Sequence, residues 1–130
     1  MKLAFSTLGC PDYSWSDIYA MAKDIGFGGI ELRGLGDDIF SVHAEPFSKE
    51  NIKKTKEKLK KLHLEIPCLS SGCALRFKEQ MQENIQEIGE YISLAQQLGT
   101  PYIRILGDRT AEITTDFDDA DVIEALRILA

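Results

Sequence analysis

The sequence predicts an α/β fold: four parallel strand–helix units forming half of a (β/α)8 barrel. Three observations carry this. Helical stretches alternate with short apolar ones and no hairpin turn joins them, which selects parallel pairing with right-handed crossovers. The chain also repeats itself. Ala22, Gly26, Ile30 and Gly34 recur as Ala95, Gly99, Ile103 and Gly107 at a constant offset of 73 residues. Midway between them, Leu62 to Ser70 reads the same way without the glycine, so the unit is about 36 residues long. Length is the third observation. Eight such units total about 290 residues, within the usual range of a closed barrel, and a chain of 130 residues holds four.

Each element follows from its residues. The first strand runs from Lys2 to Ser6. Ser14 then caps a helix, with Asp17 three residues on, and Ile18, Ala22 and Ile25 keep one apolar face. Gly26 stops it, as a residue at home in the left-handed region should. The second strand is Gly29 to Leu32, and the second helix starts after Ser48, with Glu50 in its first turn and Ile52, Leu59 and Leu62 turned inward. Ile66 to Ser70 is the third strand. Ile85, Ile88, Ile92, Ala95 and Leu98 mark a third helix that ends at Gly99, and Tyr102 to Leu106 is the fourth strand. A last helix opens near Asp119 with Val122, Leu126 and Leu129. Pro67 and Pro101 sit at strand entrances, where a missing donor costs little.

A parallel sheet with all its helices on one side leaves its other face bare, and such sheets are stable when both faces are covered. The end at Ala130 has no capping glycine or stop signal, so the chain is expected to be the front half of a larger barrel, or a module that self-associates. Periodicity alone leaves a doubly wound sheet open. That fold normally carries a Gly-rich phosphate loop after its first strand, and Ser6 to Pro11 is not one.

Composition excludes several functions. Apolar residues make up 44% and charged residues 28%, the balance of a globular domain. Fifteen Lys+Arg against 21 Asp+Glu leave a net charge of −6, which argues against a phosphate-backbone surface and so against nucleic acid as partner. Seven of the 15 basic residues fall between Lys49 and Lys61, but Glu50 and Glu57 interleave with them, so the stretch reads as a solvated helix face. No apolar run approaches a membrane span, and the amino terminus is not a signal peptide. Cys10, Cys68 and Cys73 are an odd set with no C-x-x-C spacing; they read as reduced thiols, hence a cytoplasmic protein.

Four stretches resemble the first four strand ends of the xylose-isomerase-like TIM-barrel family: Phe5 to Pro11 (FSTLGCP), Gly29 to Leu35 (GIELRGL), Ile66 to Ser71 (IPCLSS) and Tyr102 to Asp108 (YIRILGD). That family includes sugar-phosphate isomerases and epimerases and, more distantly, apurinic endonucleases. The resemblance implies a small-molecule sugar or sugar phosphate as substrate and a divalent metal (Mn, Mg, Co or Zn) in the complete barrel. It also implies that the metal ligands and bases come from later strands, so no metal ligand is expected in this chain alone. It carries over the front half of a substrate pocket: Ser6, Glu31, Arg33, Ser70, Ser71, Arg104 and Asp108. The apurinic endonucleases would want a basic surface and histidines at the third and fourth strand ends, where this chain has Ser70 and Leu106.

Strand parity gives these groups a second reading. If Ile30 and Leu32 face the helices, Glu31 and Arg33 point into the barrel, and Arg104 joins them. They would form either an internal salt-bridge layer or a ligand-holding set. Asp37, Asp38, His43 and Glu45 give the long connection after the second strand some look of a metal site, although such loops are more often solvated. His63 belongs to the opposite end of the barrel, where a cation suits a helix C-terminus. Trp15, opening the first helix, reads as packing rather than as a sugar-stacking platform. Asp108, Glu112, Asp116, Asp118, Asp119, Asp121 and Glu124 form an acidic loop and helix start. The bare inner face, finally, predicts a homodimer through the open side of the sheet.

Overall fold

The computed structural model describes residues 1–75, 78–107 and 119–130. Its four strands are β1 (Ala4–Ser6), β2 (Gly29–Leu32), β3 (Glu65–Ala74) and β4 (Tyr102–Leu106), and they lie in one parallel sheet in the order β1-β2-β3-β4. The helices α1 (Trp15–Ile25), α2 (Ile52–Leu62), α3 (Met81–Leu98) and α4 (Asp119–Leu129) connect or follow them. Neighbours in sequence are neighbours in space throughout, as in one arc of a (β/α)8 barrel.

The burial pattern decides against the doubly wound alternative. Ile30, Leu32 and Leu69 are fully buried and pack with Ile18 and Ala22 of α1, Leu59 of α2 and Tyr91 and Leu94 of α3. The intervening positions do not join that core: Ala4, Tyr102 and Arg104 are exposed and Glu31 is half-buried. Helices therefore cover one face only, and a second small cluster (Cys73, Leu75, Ile88, Ala125) extends the covered face towards α4.

Local signals explain where most elements begin and end. Ser14 accepts from the Asp17 amide while the Asp17 carboxylate accepts from the Ser14 amide, a reciprocal cap that satisfies two otherwise free donors. Gly26 at φ 85° and Gly99 at φ 74° close α1 and α3 in the left-handed region. In α2 the same position is taken by His63 at φ 55°, a side chain tolerated there at some conformational cost.

Several expectations need correction. β1 begins at Ala4 rather than Lys2, and α2 begins at Ile52 behind Asn51, so Glu50 precedes the helix. α3 starts at Met81, a turn before its first isoleucine, and buries Tyr91 and Leu94 as well. On α1 it is Tyr19 that enters the core, while Ile25 is exposed; on α4 Ala125 is buried and Leu126 is largely exposed. β3 is twice the expected length and carries two register irregularities, one between the pairs Gly29↔Glu65 and Glu31↔Cys68, the other between Ser70↔Arg104 and Ala74↔Leu106. Pro67 lies inside the first of these, where the ladder tolerates a missing amide, and not at the strand entrance.

The connection between β2 and α2 is not a solvated loop. It contains two 3-10 turns, Ser41–His43 and Glu45–Phe47, and buries Leu35, Ser41, Ala44, Pro46 and Phe47. The Phe47 ring meets Trp15 edge-on at 5.3 Å and Trp15 lies 4.5 Å from Tyr19, so Trp15 is a packing residue. None of the helices among the described residues is long and apolar enough to cross a membrane.

Candidate functional site

Parallel strands bring their carboxyl ends to one rim, and in a barrel that rim carries the chemistry. Alternation then sorts the side chains. With Ile30, Leu32 and Leu69 on the helix side, the open face receives Ser6, Glu31, Cys68, Ser70, Tyr102 and Arg104. Register aligns them in two rows. Ser6, Glu31, Cys68 and Tyr102 lie side by side across all four strands; one step towards the rim, Ser70 lies beside Arg104. Arg33 follows Leu32 directly and by alternation falls beside Ser70 on its other flank.

The contacts within these rows are specific. The Ser70 hydroxyl donates to Glu31 Oε1. Ser70 is itself almost wholly buried, so this bond joins β2 to β3 where water cannot compete. Ser6 closes β1 by accepting from the Leu8 amide at 3.4 Å, which caps a 3-10 turn over Thr7–Gly9. Ser71 does not face the open side. Fully buried, it donates to the Arg104 carbonyl at 2.8 Å across the second irregularity of β3. Its hydroxyl is a splint between β3 and β4, turned away from Ser70 as successive residues of a strand are.

No ion pair joins Glu31, Arg33 and Arg104; the pairs among the described residues are Lys2–Glu65, His43–Glu90 and Arg127–Glu124. The internal salt-bridge layer is therefore absent, and Glu31 is held by a hydroxyl instead. Asp108 lies outside the described residues, as do Glu112, Asp116 and Asp118 of the acidic stretch.

Two residues that matter here were missed by sequence reasoning. Thr7, almost fully buried, uses Oγ1 to accept from the Arg33 amide at 3.0 Å and so fixes the end of β2 against β1. Cys68 sits between Glu31 and Tyr102; counting back two from Ser70 would have placed it on this face. Burial pushes the Cys68 thiol up, the neighbouring Glu31 carboxylate adds to this, and Ser70 and Arg104 oppose it. Its protonated form is accordingly favoured near neutral pH. None of the three cysteines forms a disulfide among the described residues.

The described residues do not fit a divalent metal. Among them no three His, Cys, Asp or Glu side chains converge on a point. His43 Nε2 lies 3.4 Å from Glu90 on the helical layer, and Glu31 is the sole carboxylate in the two rows. A hard cation takes several oxygen ligands, and zinc takes three or four donors.

Cavities lie around the arc rather than in it. One of about 600 Å³ flanks β1, lined by Phe5, Ser6, Leu8, Cys10, Tyr13 and Phe27. Another of about 550 Å³ opens at the amino ends of β3 and β4 between α2 and α3.

The family model for xylose isomerase-like TIM barrels matches residues 19–130. No curated protein matches the chain. Among solved structures, the chain is similar to the probable 3-DHS dehydratase AsbF of Bacillus anthracis, with 23% identity and a TM-score of 0.71. The alignment covers 99% of this chain and 47% of that one. The IOLI protein with a binding zinc atom aligns at 17% identity and TM-score 0.75, over 99% of this chain and 46% of that one. The 3-keto-D-glucoside 4-epimerase YcjR from E. coli aligns at 18% and 0.69, over 99% and 50%. The chain thus spans about half the length of the structures it matches, and at these identities the likeness is one of fold.

Proposed function

The chain belongs to the xylose isomerase-like TIM barrel family, and from that premise we propose that it forms the front half of the substrate pocket of a metal-dependent sugar or sugar phosphate isomerase or epimerase. One observation carries the reading. The face that would line the barrel holds hydroxyls, a carboxylate, a thiol and guanidinium groups (Ser6, Glu31, Cys68, Ser70, Arg104) where packing alone would select Val, Ile and Leu. Buried polar side chains are costly without partners, and a polyhydroxylated ligand supplies them.

Each residue has a definite task in this reading. Glu31, oriented by Ser70, accepts from sugar hydroxyls and fixes the face of the ring presented to the rim. Ser6 offers a hydroxyl beside it. Arg33, just past β2, and Arg104, within β4, hold the substrate's most electron-rich oxygens. Ser71 and Thr7 position these groups through the backbone. In the complete barrel the metal would polarise the sugar's carbonyl. Its ligands and the proton-transferring carboxylates belong to the remaining strands, so this half binds and orients without performing the proton step. Asp108, two residues past β4 in the sequence, belongs to the same proposal.

The partner is accordingly a small sugar rather than nucleic acid, and three cysteines outside any disulfide favour a cytoplasmic setting. The decisive experiment assays the purified chain for turnover of aldose and ketose phosphates and for bound metal. No turnover and no stoichiometric divalent ion is the expected result. A stoichiometric ion bound through His43 and the nearby acids would overturn it.

A second reading is favoured by the sheet's two unpaired edges, β1 and β4, and its uncovered face: the half barrel self-associates as a homodimer through that face. Light scattering at micromolar concentration should then give twice the chain mass. A well-folded monomer would remove this reading while leaving the first intact.

A further inference from the structure

Register and alternation place two arginines, Arg33 and Arg104, on the open face, and no carboxylate among the described residues pairs with either. Arg104 is exposed and Arg33 half-buried, and neither takes part in any ion pair among the described residues. They flank Ser70 on adjacent strands, Arg104 by the observed register and Arg33 by continuing β2 one residue past Leu32. Two strand spacings separate them, about 10 Å between Cα atoms. Side chains on the concave side of an arc lean towards one another, so two long arginines at this spacing can close on one oxyanion from opposite sides.

The surroundings are arranged to keep them free. Glu31 is near enough to influence the Cys68 thiol, as is Arg104, yet the carboxylate is engaged by the Ser70 hydroxyl and pairs with neither arginine. Both arginine backbones are fastened by buried hydroxyls, one from the turn after β1 and one from β3. Thr7 Oγ1 takes the Arg33 amide at 3.0 Å, and Ser71 Oγ donates to the Arg104 carbonyl at 2.8 Å. Thr7 and Ser71 are 1% and 0% exposed, so these fastenings are sheltered from water. A pair of cations, one just past β2 and one within β4, in a chain of net charge −6, is poorly explained as solvated surface.

We propose that Arg33 and Arg104 form a two-sided clamp for an oxyanion of the substrate, a phosphate or a carboxylate, so that the site takes anionic sugars in preference to neutral ones. The clamp rests on the reading of the open face as a sugar site and adds the charge of its ligand. Guanidinium forks match the paired oxygens of both anions. The sheet sets their separation, and this gives selectivity for one oxyanion over dispersed charge.

The test uses the whole chain and simple probes. Thermal unfolding is followed with increasing phosphate or malonate at constant ionic strength made up with chloride, for the protein as it is and for Arg33→Met, Arg104→Met and Arg104→Lys. Saturable stabilisation by one of the two anions is expected, with apparent affinity at least about tenfold weaker in each methionine variant and partly recovered in Arg104→Lys. A stronger response to phosphate identifies a phosphorylated ligand, and a stronger response to malonate a carboxylated one. Stabilisation no greater than chloride gives, or undiminished in both methionine variants, overturns the clamp. A parallel titration with a neutral hexose and its phosphate separates the two claims. Hexose binding without an anion response removes the clamp and leaves the sugar site. An arginine-dependent phosphate response with no sugar bound leaves the clamp and removes the sugar.

Discussion

The two faces of the sheet are built from the same strands by opposite rules. On the helix side, Ile30, Leu32 and Leu69 are fully buried among α1, α2 and α3, and every one is an aliphatic that packing would select. On the open side, the residues between them are Ser6, Glu31, Cys68, Ser70 and Arg104, which packing would not select. The first face derives its stability from area removed from water; the second holds its order through individual hydrogen bonds. Substitutions should therefore act on different observables according to face.

The largest contrast is in global stability. Leu69→Ala should cost about 2–5 kcal/mol in urea unfolding, whereas Arg104→Met should stay within about 0.5 kcal/mol. Equal costs would break the comparison. Tyr19, buried on the helix side, tests it through pH. Burial pushes its phenol up to about 12 from the ordinary 10.0. The folded state keeps the proton that the unfolded state loses, so stability is complete below pH 10 and falls as pH rises from 10 towards 12. That alkaline loss should be on the order of 2 kcal/mol, and Tyr19→Phe should abolish it in pH-dependent melting.

Thr7 is where the two rules meet, a buried hydroxyl serving the end of an open-face strand. Thr7→Val keeps its volume but leaves the Arg33 amide without an acceptor, and should cost about 1–2 kcal/mol; Thr7→Ser should recover most of it. The smallest effect lies wholly on the open face. Glu31→Gln removes the carboxylate that helps hold the Cys68 thiol up, so the pH profile of Cys68 alkylation should move to lower pH while unfolding changes little. An unmoved profile would mean that Glu31 and Cys68 do not communicate.

Much of the covered face could be read directly. The Ser14 cap, the terminating Gly26 and Gly99 and the bounds of β2 and β4 depend on residues close in sequence, which is why local pattern sufficed. Alternation likewise placed Glu31 and Arg104 on the open side. Where the reading failed, the cause was non-local. Ile25 and Leu126 satisfy a helical stride but meet no neighbour, while Tyr19 and Ala125 do. The β2–α2 connection looked solvated because of its acids, yet Leu35, Ala44 and Phe47 find a core beneath them. Ser71 belongs by motif to the pocket, and that its hydroxyl also donates to the Arg104 carbonyl could be seen only once β3 and β4 were paired.

The sequence by itself determined the alternation of strand and helix, the 73-residue repeat, the half-barrel order of the strands and the identity of the groups on each face. These depend on spacing and on residue chemistry, which a linear chain carries. Only the tertiary structure decided which of those groups meet. The Glu31–Ser70 bond and the Thr7 and Ser71 fastenings depend on register between strands, as does the absence, among the described residues, of an ion pair to Arg33 or Arg104. Register is set by the irregularities in β3 and by packing between residues far apart in the chain, and a shift of one residue would exchange the two faces.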